Sequence, residues 1–175
     1  MRRKGSQYDK AINLVCNQSK ADIDAYAERS ATSLGLTPGG DLVPIIQQLG
    51  GRIHYRSGDE ADGDPNTIYV HGPNEFDIVL PVYSTPRRDR FTIAHELGHY
   101  FLHSWMGKRP LQATRLGSDR AEWEANWFAA GLLMPRQEFT AAKREGLSID
   151  ALAQRFGVSP EAARVRCKVI GSTQG

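Results

Sequence analysis

An α+β fold is predicted by two changes of hydrophobic period along the chain and by two helix-like runs that carry metal-binding residue types. Up to Gly50-Gly51 the apolar residues recur at three and four; between Arg52 and Leu80 they alternate, and from Thr85 onward the helical spacing returns. A short β-sheet is therefore expected among helices. One of these helices carries an H-E-x-x-H pattern and packs on a second ligand-bearing helix, and a helical hairpin closes the C-terminal part.

At 175 residues and 40% hydrophobic content, the chain can bury about two thirds of its unfolded surface in one core. We expect a polar N-terminal arm over 1–18, a core over 19–146, a hairpin packed on it over 147–170, and a tail over 171–175. The net charge of +2 does not impose nucleic-acid binding, although Arg136, Lys143, Arg144, Arg155, Arg164, Arg166 and Lys168 crowd the C-terminal part. Cys16 and Cys167 are far apart and form no C-x-x-C pair, which argues against a disulfide framework or a thiolate zinc site and fits a reducing cytoplasm. No apolar run approaches the ~18 residues of a membrane span. The basic Met1 to Lys4 cluster leads into polar sequence, so a soluble, unexported, cytoplasmic protein without membrane contact is expected.

In chain order, residues 1–18 read as a short helix or a loose arm. Ile23, Tyr26, Ala27 and Leu34 then give a helical period, with Ser19 or Asp22 as cap and Gly35 as stop. Leu42, Ile45, Ile46 and Leu49 mark a second short helix ended by Gly50-Gly51. Strands are predicted at Arg52–Tyr55, Thr67–His71 and Phe76–Leu80. The acidic stretch SGDEADGDPN between the first two lacks the EF-hand order of ligands and reads as a solvated hairpin loop. His54 and His71 fall in the strands as ordinary sheet residues.

Thr85 and Pro86 open the next helix, a capping hydroxyl followed by the residue favoured at the first position. Its body, FTIAHELGHYFLH, stacks His95 and His99 on one face, where both imidazoles can reach a single ion, with Glu96 beside them. Ile93, Ala94, Leu97, Tyr100, Phe101 and Leu102 imply burial, where polar side chains need partners. The stretch 104–117, rich in Gly, Pro and basic residues, reads as a loop over or beside the site.

The run EWEANWFAAGLLM, stopped by Pro135, offers the third ligand that zinc bound by two His requires. Glu122 and Asn126 share a face at i and i+4. Glu122 is the preferred ligand, with Asn126 holding the ring N–H of a ligating His; Glu124 and Asp119 are the alternatives. A metzincin pattern would need Gly at 102 and His at 105, where this chain has Leu102 and Trp105. His103 is thus left to line the cleft or to hydrogen-bond locally.

These two runs, followed by LAQRFGVSPEAARVR, resemble the ImmA/IrrE family of metallopeptidases over roughly residues 20 to 170. The resemblance implies a zincin-like α+β core in which His95, His99 and Glu122 bind the metal and Glu96 is the catalytic base. It also implies a helix-turn-helix repressor, or an antitoxin, as the protein substrate. The cofactor expected is one Zn2+ per chain, with Mn2+ as the alternative.

In the C-terminal piece, Ser148 caps a helix with Leu152, Ala153 and Phe156, Gly157 ends it, and Ser159-Pro160 start another bearing Arg164, Arg166 and Lys168. This has the form of a helix-turn-helix, for which partner docking or core completion is preferred over DNA contact. The reaction expected is metal-assisted amide hydrolysis in which Glu96 takes a proton from the attacking water and passes it to the leaving amine. Tyr69, Tyr83, Tyr100, His71 and His103 are open as oxyanion partners. Two rival readings stand beside it, a regulatory binding protein with a structural metal and a metal hydrolase acting on something other than protein.

Overall fold

The computed structural model describes residues 9–10, 15–57, 67–114 and 119–171. Among these residues a mixed sheet with the strand order β1-β5-β3-β4-β2 lies among seven α-helices. Helix α1 (Lys20–Ser33) starts where the Ser19 hydroxyl accepts the Asp22 N–H, and α2 (Val43–Gln48) delivers the chain to the sheet edge. Strands β2 (Gly51–Arg56), β3 (Thr67–Gly72) and β4 (Glu75–Pro81) follow. Helix α3 (Pro86–Gly98) runs on into a π-helical turn (His99–His103). After β5 (Leu111–Thr114) come α4 (Arg120–Leu133), α5 (Arg136–Arg144), α6 (Ile149–Phe156) and α7 (Pro160–Gly171).

The structure corrects the strand reading in three places. β3 and β4 form the antiparallel hairpin, whereas β2 pairs in parallel with β4. The acidic stretch therefore joins strands that are not neighbours and is no hairpin loop; residues 58–66 of it lie outside the described ones. The stretch 104–117, expected as loop, contains β5, which pairs antiparallel with β3. Leu111 and Ala113 are buried there, but two apolar residues in a four-residue strand are too few to show a period. Finally, Asp9–Lys10 form β1, parallel to β5, inside the segment read as arm or helix; residues 1–8 and 11–14 are outside the described set.

One hydrophobic cluster runs from Ile23 on α1 through Phe76, Leu97, Phe128 and Phe139 to Ala163 and Ile170 on α7. Arg166, expected as a basic surface residue, is only 3% exposed. It donates to Asp24 Oδ1 (2.6 Å), Glu28 Oε1 (3.2 Å) and the Met134 carbonyl (2.9 Å), tying α7 to α1 and to the end of α4. A buried guanidinium is tolerable only with its donors satisfied in this way.

Candidate metal centre

The Thr85 hydroxyl accepts the Arg88 N–H and Pro86 occupies the first turn, so α3 starts as its sequence dictates. Its last two turns are buried on every side, and they take His95 (0% exposed), Glu96 (1%) and His99 (1%) into the core. Helix α4 starts at Asp119, whose carboxylate accepts the Glu122 N–H and sets Glu122 in the first turn. The two helices come together at Gly98, where a methyl group would stand 2.9 Å from the Ala125 Cα. Only a residue without Cβ allows this approach.

That closeness brings the donor groups of three residues together. His95 Nε2 and His99 Nε2 are 3.2 Å apart, with Glu122 Oε2 3.1 Å from the first and Glu122 Oε1 3.1 Å from the second. Donors sharing a tetrahedral zinc at its usual bond lengths lie roughly 3.3 Å from one another. The triangle therefore fits a divalent ion, and among the described residues these three form the group able to hold one.

The far side of each ring fixes which nitrogen is free. His95 Nδ1 donates to Asn126 Oδ1 at 2.9 Å. His99 Nδ1 lies 2.9 Å from His103 Nδ1, and His103 Nε2 donates to Glu124 Oε2 at 3.0 Å. With a carboxylate accepting at Nε2, His103 carries its proton there, so its Nδ1 accepts and His99 Nδ1 donates. With an Nδ1 proton of each ring held on the far side, both rings turn Nε2 towards Glu122.

Electrostatics agree with a cation site. Burial above all, then the neighbouring His95 and His103 rings, push the His99 pKa down to about 3 against the opposing pull of Glu122. Burial would raise Glu122, but its contacts with His95 and His99 hold the carboxyl well below the ordinary range. Two imidazoles and one carboxylate are a donor set of the kind that binds a divalent cation.

The alternative ligands lie elsewhere. Asp119 is the helix cap, and Glu124, wholly buried, accepts from His103, Arg120 Nε (2.8 Å) and the N–H groups of Cys16 (2.8 Å) and Asn17 (3.1 Å). His103 is 0% exposed with both ring nitrogens engaged, so it supports His99 instead of lining an open cleft. Its i+4 spacing from His99 was the available signal. The Glu124 contacts with Cys16 and Asn17 could not be read from the chain because these donors lie 108 and 107 positions away. Among the oxyanion candidates, the buried Tyr100 hydroxyl accepts the Asn74 N–H, His71 bonds Asp77 and Tyr83 is 88% exposed. His54 joins the same Asp77 carboxylate, as does Arg52, which makes them a surface network of the sheet.

No helix among the described residues is long and apolar enough to cross a membrane. Residues 46–168 match a peptidase family described as the IrrE N-terminal-like domain. Over 113 residues the chain is 26% identical to Metallopeptidase ImmA of Bacillus subtilis (strain 168), covering 63% of this chain and 67% of that protein. A solved Mycobacterium tuberculosis transcriptional regulator is similar at a TM-score of 0.55 and 24% identity, over 81% of this chain and 45% of that one. The chain thus spans under half the length of that regulator, and the likeness is one of fold. Because the family match takes in most of the chain and both helices of the donor triangle, this protein belongs to the ImmA/IrrE family and is a metallopeptidase.

Proposed function

We propose that this chain is a zinc-dependent endopeptidase that cleaves one specific protein, a helix-turn-helix repressor or antitoxin, at one or a few bonds. The observation that carries the reading is the convergence of His95 Nε2, His99 Nε2 and Glu122 on one point within the core. These three side chains would hold the ion, and Asn126 would keep the His95 ring in its metal-binding tautomer. When bound, a divalent ion of this kind acidifies water and polarises a carbonyl. Glu96, next to His95 and 1% exposed, is the general base: its carboxylate takes the proton of the attacking water and returns it to the leaving amine. A structural metal would need a closed ligand set and no such base.

We read residues 19–146 as the catalytic core and 147–170 as a docking hairpin on it. With Arg166 consumed by Asp24 and Glu28, α7 presents Arg164 and Lys168 as its exposed cations, and Arg164 is paired with Glu161. That favours a protein partner over a phosphate backbone, which is bound by several free cations. Beside these residues an apolar groove of about 320 Å³ opens between α4 and α7, lined by Trp127, Ala130, Val165 and Val169.

The test is incubation of metal-loaded protein with the helix-turn-helix repressor encoded beside it, with fragments mapped by mass. One or a few cuts, lost with chelator and with Glu96→Gln, are expected, and casein should stay intact. Rapid degradation of casein beside an intact repressor would overturn the specificity.

A further inference from the structure

We propose that Cys16–Gln18, the segment just before α1, is a positioning element of the metal centre, acting through Glu124 and His103 on the His99 ring. It rests on the reading of His99 as a metal ligand. The connection is continuous. The consecutive N–H groups of Cys16 and Asn17 donate to the two oxygens of Glu124 at 2.8 and 3.1 Å. Glu124 accepts His103 Nε2–H at 3.0 Å, and His103 Nδ1 accepts from His99 Nδ1 at 2.9 Å. Four links thus join the irregular lead into α1 to the ring that completes the donor triangle.

Two features show that the segment is held for this purpose instead of merely passing by. Asn17 has φ +56°, a conformation uncommon outside glycine but tolerated by Asn, and it turns two successive amides onto one carboxylate. Arg120 then clamps both partners: its Nε donates to Glu124 Oε1 at 2.8 Å and its Nη2 to the Gln18 carbonyl at 2.6 Å. Its guanidinium also lies 4.8 Å above the Trp127 ring. Glu124 therefore accepts from both amides, from Arg120 and from His103 at once, as a carboxylate can. Removing the amides would leave it free to shift, and with it His103 and the ring orientation of His99. Supports of this order change metal affinity by about 10- to 100-fold.

The experiment compares full-length Asn17→Pro with Asn17→Gly. Proline deletes the Asn17 N–H and forbids its φ, whereas glycine keeps both. Zn2+ affinity by competition with a chromogenic chelator, and the visible spectrum of the Co2+-substituted protein, are read beside the melting temperature. We expect about 10-fold weaker zinc binding and a changed cobalt spectrum in Asn17→Pro, neither change in Asn17→Gly, and no effect of Asn17→Pro when His103→Phe has already cut the chain. A folded Asn17→Pro with wild-type affinity and spectrum overturns the proposal, as does an equal effect in the His103→Phe background. Should the proline variant not fold, Arg120→Met releases the same clamp from a partly exposed position and is judged by the same readings. His99→Ala separates the two levels: if it binds zinc as wild type does, the metal-site reading itself fails.

Discussion

Gly98→Ala tests whether the spacing of α3 and α4 sets the donor triangle. The new methyl group would meet backbone, at 2.9 Å from the Ala125 Cα and 3.0 Å from its carbonyl oxygen, with the Ala125 Cβ at 3.2 Å. Ordinary contact begins at 3.4 Å, so the helices must part by about 0.5 Å. His95 and His99 belong to the α3 side of the gap and Glu122 to α4, so the 3.1 Å distances from Glu122 to both rings widen with it. Metal sites tolerate roughly 0.2 Å of displacement. The expected loss of zinc affinity is therefore at least about 10-fold, comparable with losing a support of a ligand. Overpacking costs roughly 1–3 kcal/mol, offset by about 1 kcal/mol of better helix propensity for Ala than Gly, so stability should fall only modestly. Chelator competition at equilibrium and a melting curve on the metal-free protein separate the two effects. A folded Gly98→Ala that holds zinc as tightly as wild type would refute the argument that the interhelical distance governs the site.

Glu96→Gln should keep the fold and the bound zinc while turnover falls at least about 10²-fold, since an amide cannot accept the proton; metal analysis with a cleavage assay checks it, and substantial activity in the loaded variant removes Glu96 from its role. Asn126→Ala should weaken zinc binding by roughly 10-fold by freeing the His95 ring, and unchanged chelator competition would count against that support. Arg166→Met should destabilise the protein by about 3 kcal/mol in urea unfolding, because Asp24 is left with Arg136 alone, at 3.3 Å; a loss below about 1 kcal/mol would show that α7 is not held by this network. In the metal-free protein, His99 titrates at about 3 when folded against 6.5 when unfolded, so the unfolded chain binds the extra proton in between. Stability should be full above about pH 6.5 and drain as the pH falls towards 3, with the depressed Glu122 adding a loss in the same direction below its ordinary 4.5. An unfolding midpoint in urea that is the same at about pH 7.5 and about pH 5 would contradict this.

Local patterns were enough to reveal much of this protein. The cap at Ser19, the Thr85-Pro86 start, the Gly157 stop and the i, i+4 pairs His95/His99 and Glu122/Asn126 depend on neighbours within one or two helical turns, and such interactions are written in consecutive residues. The α+β class followed from the same short-range periods. What the chain order could not decide is which distant segments meet. The parallel β2–β4 pairing, β5 within an apparent loop, the burial of Arg166 against Asp24, and the grip of Cys16 and Asn17 on Glu124 all join residues far apart in sequence. Those contacts are selected by the packing of the whole core, where a buried charge or amide takes whichever partner the fold brings within about 3 Å.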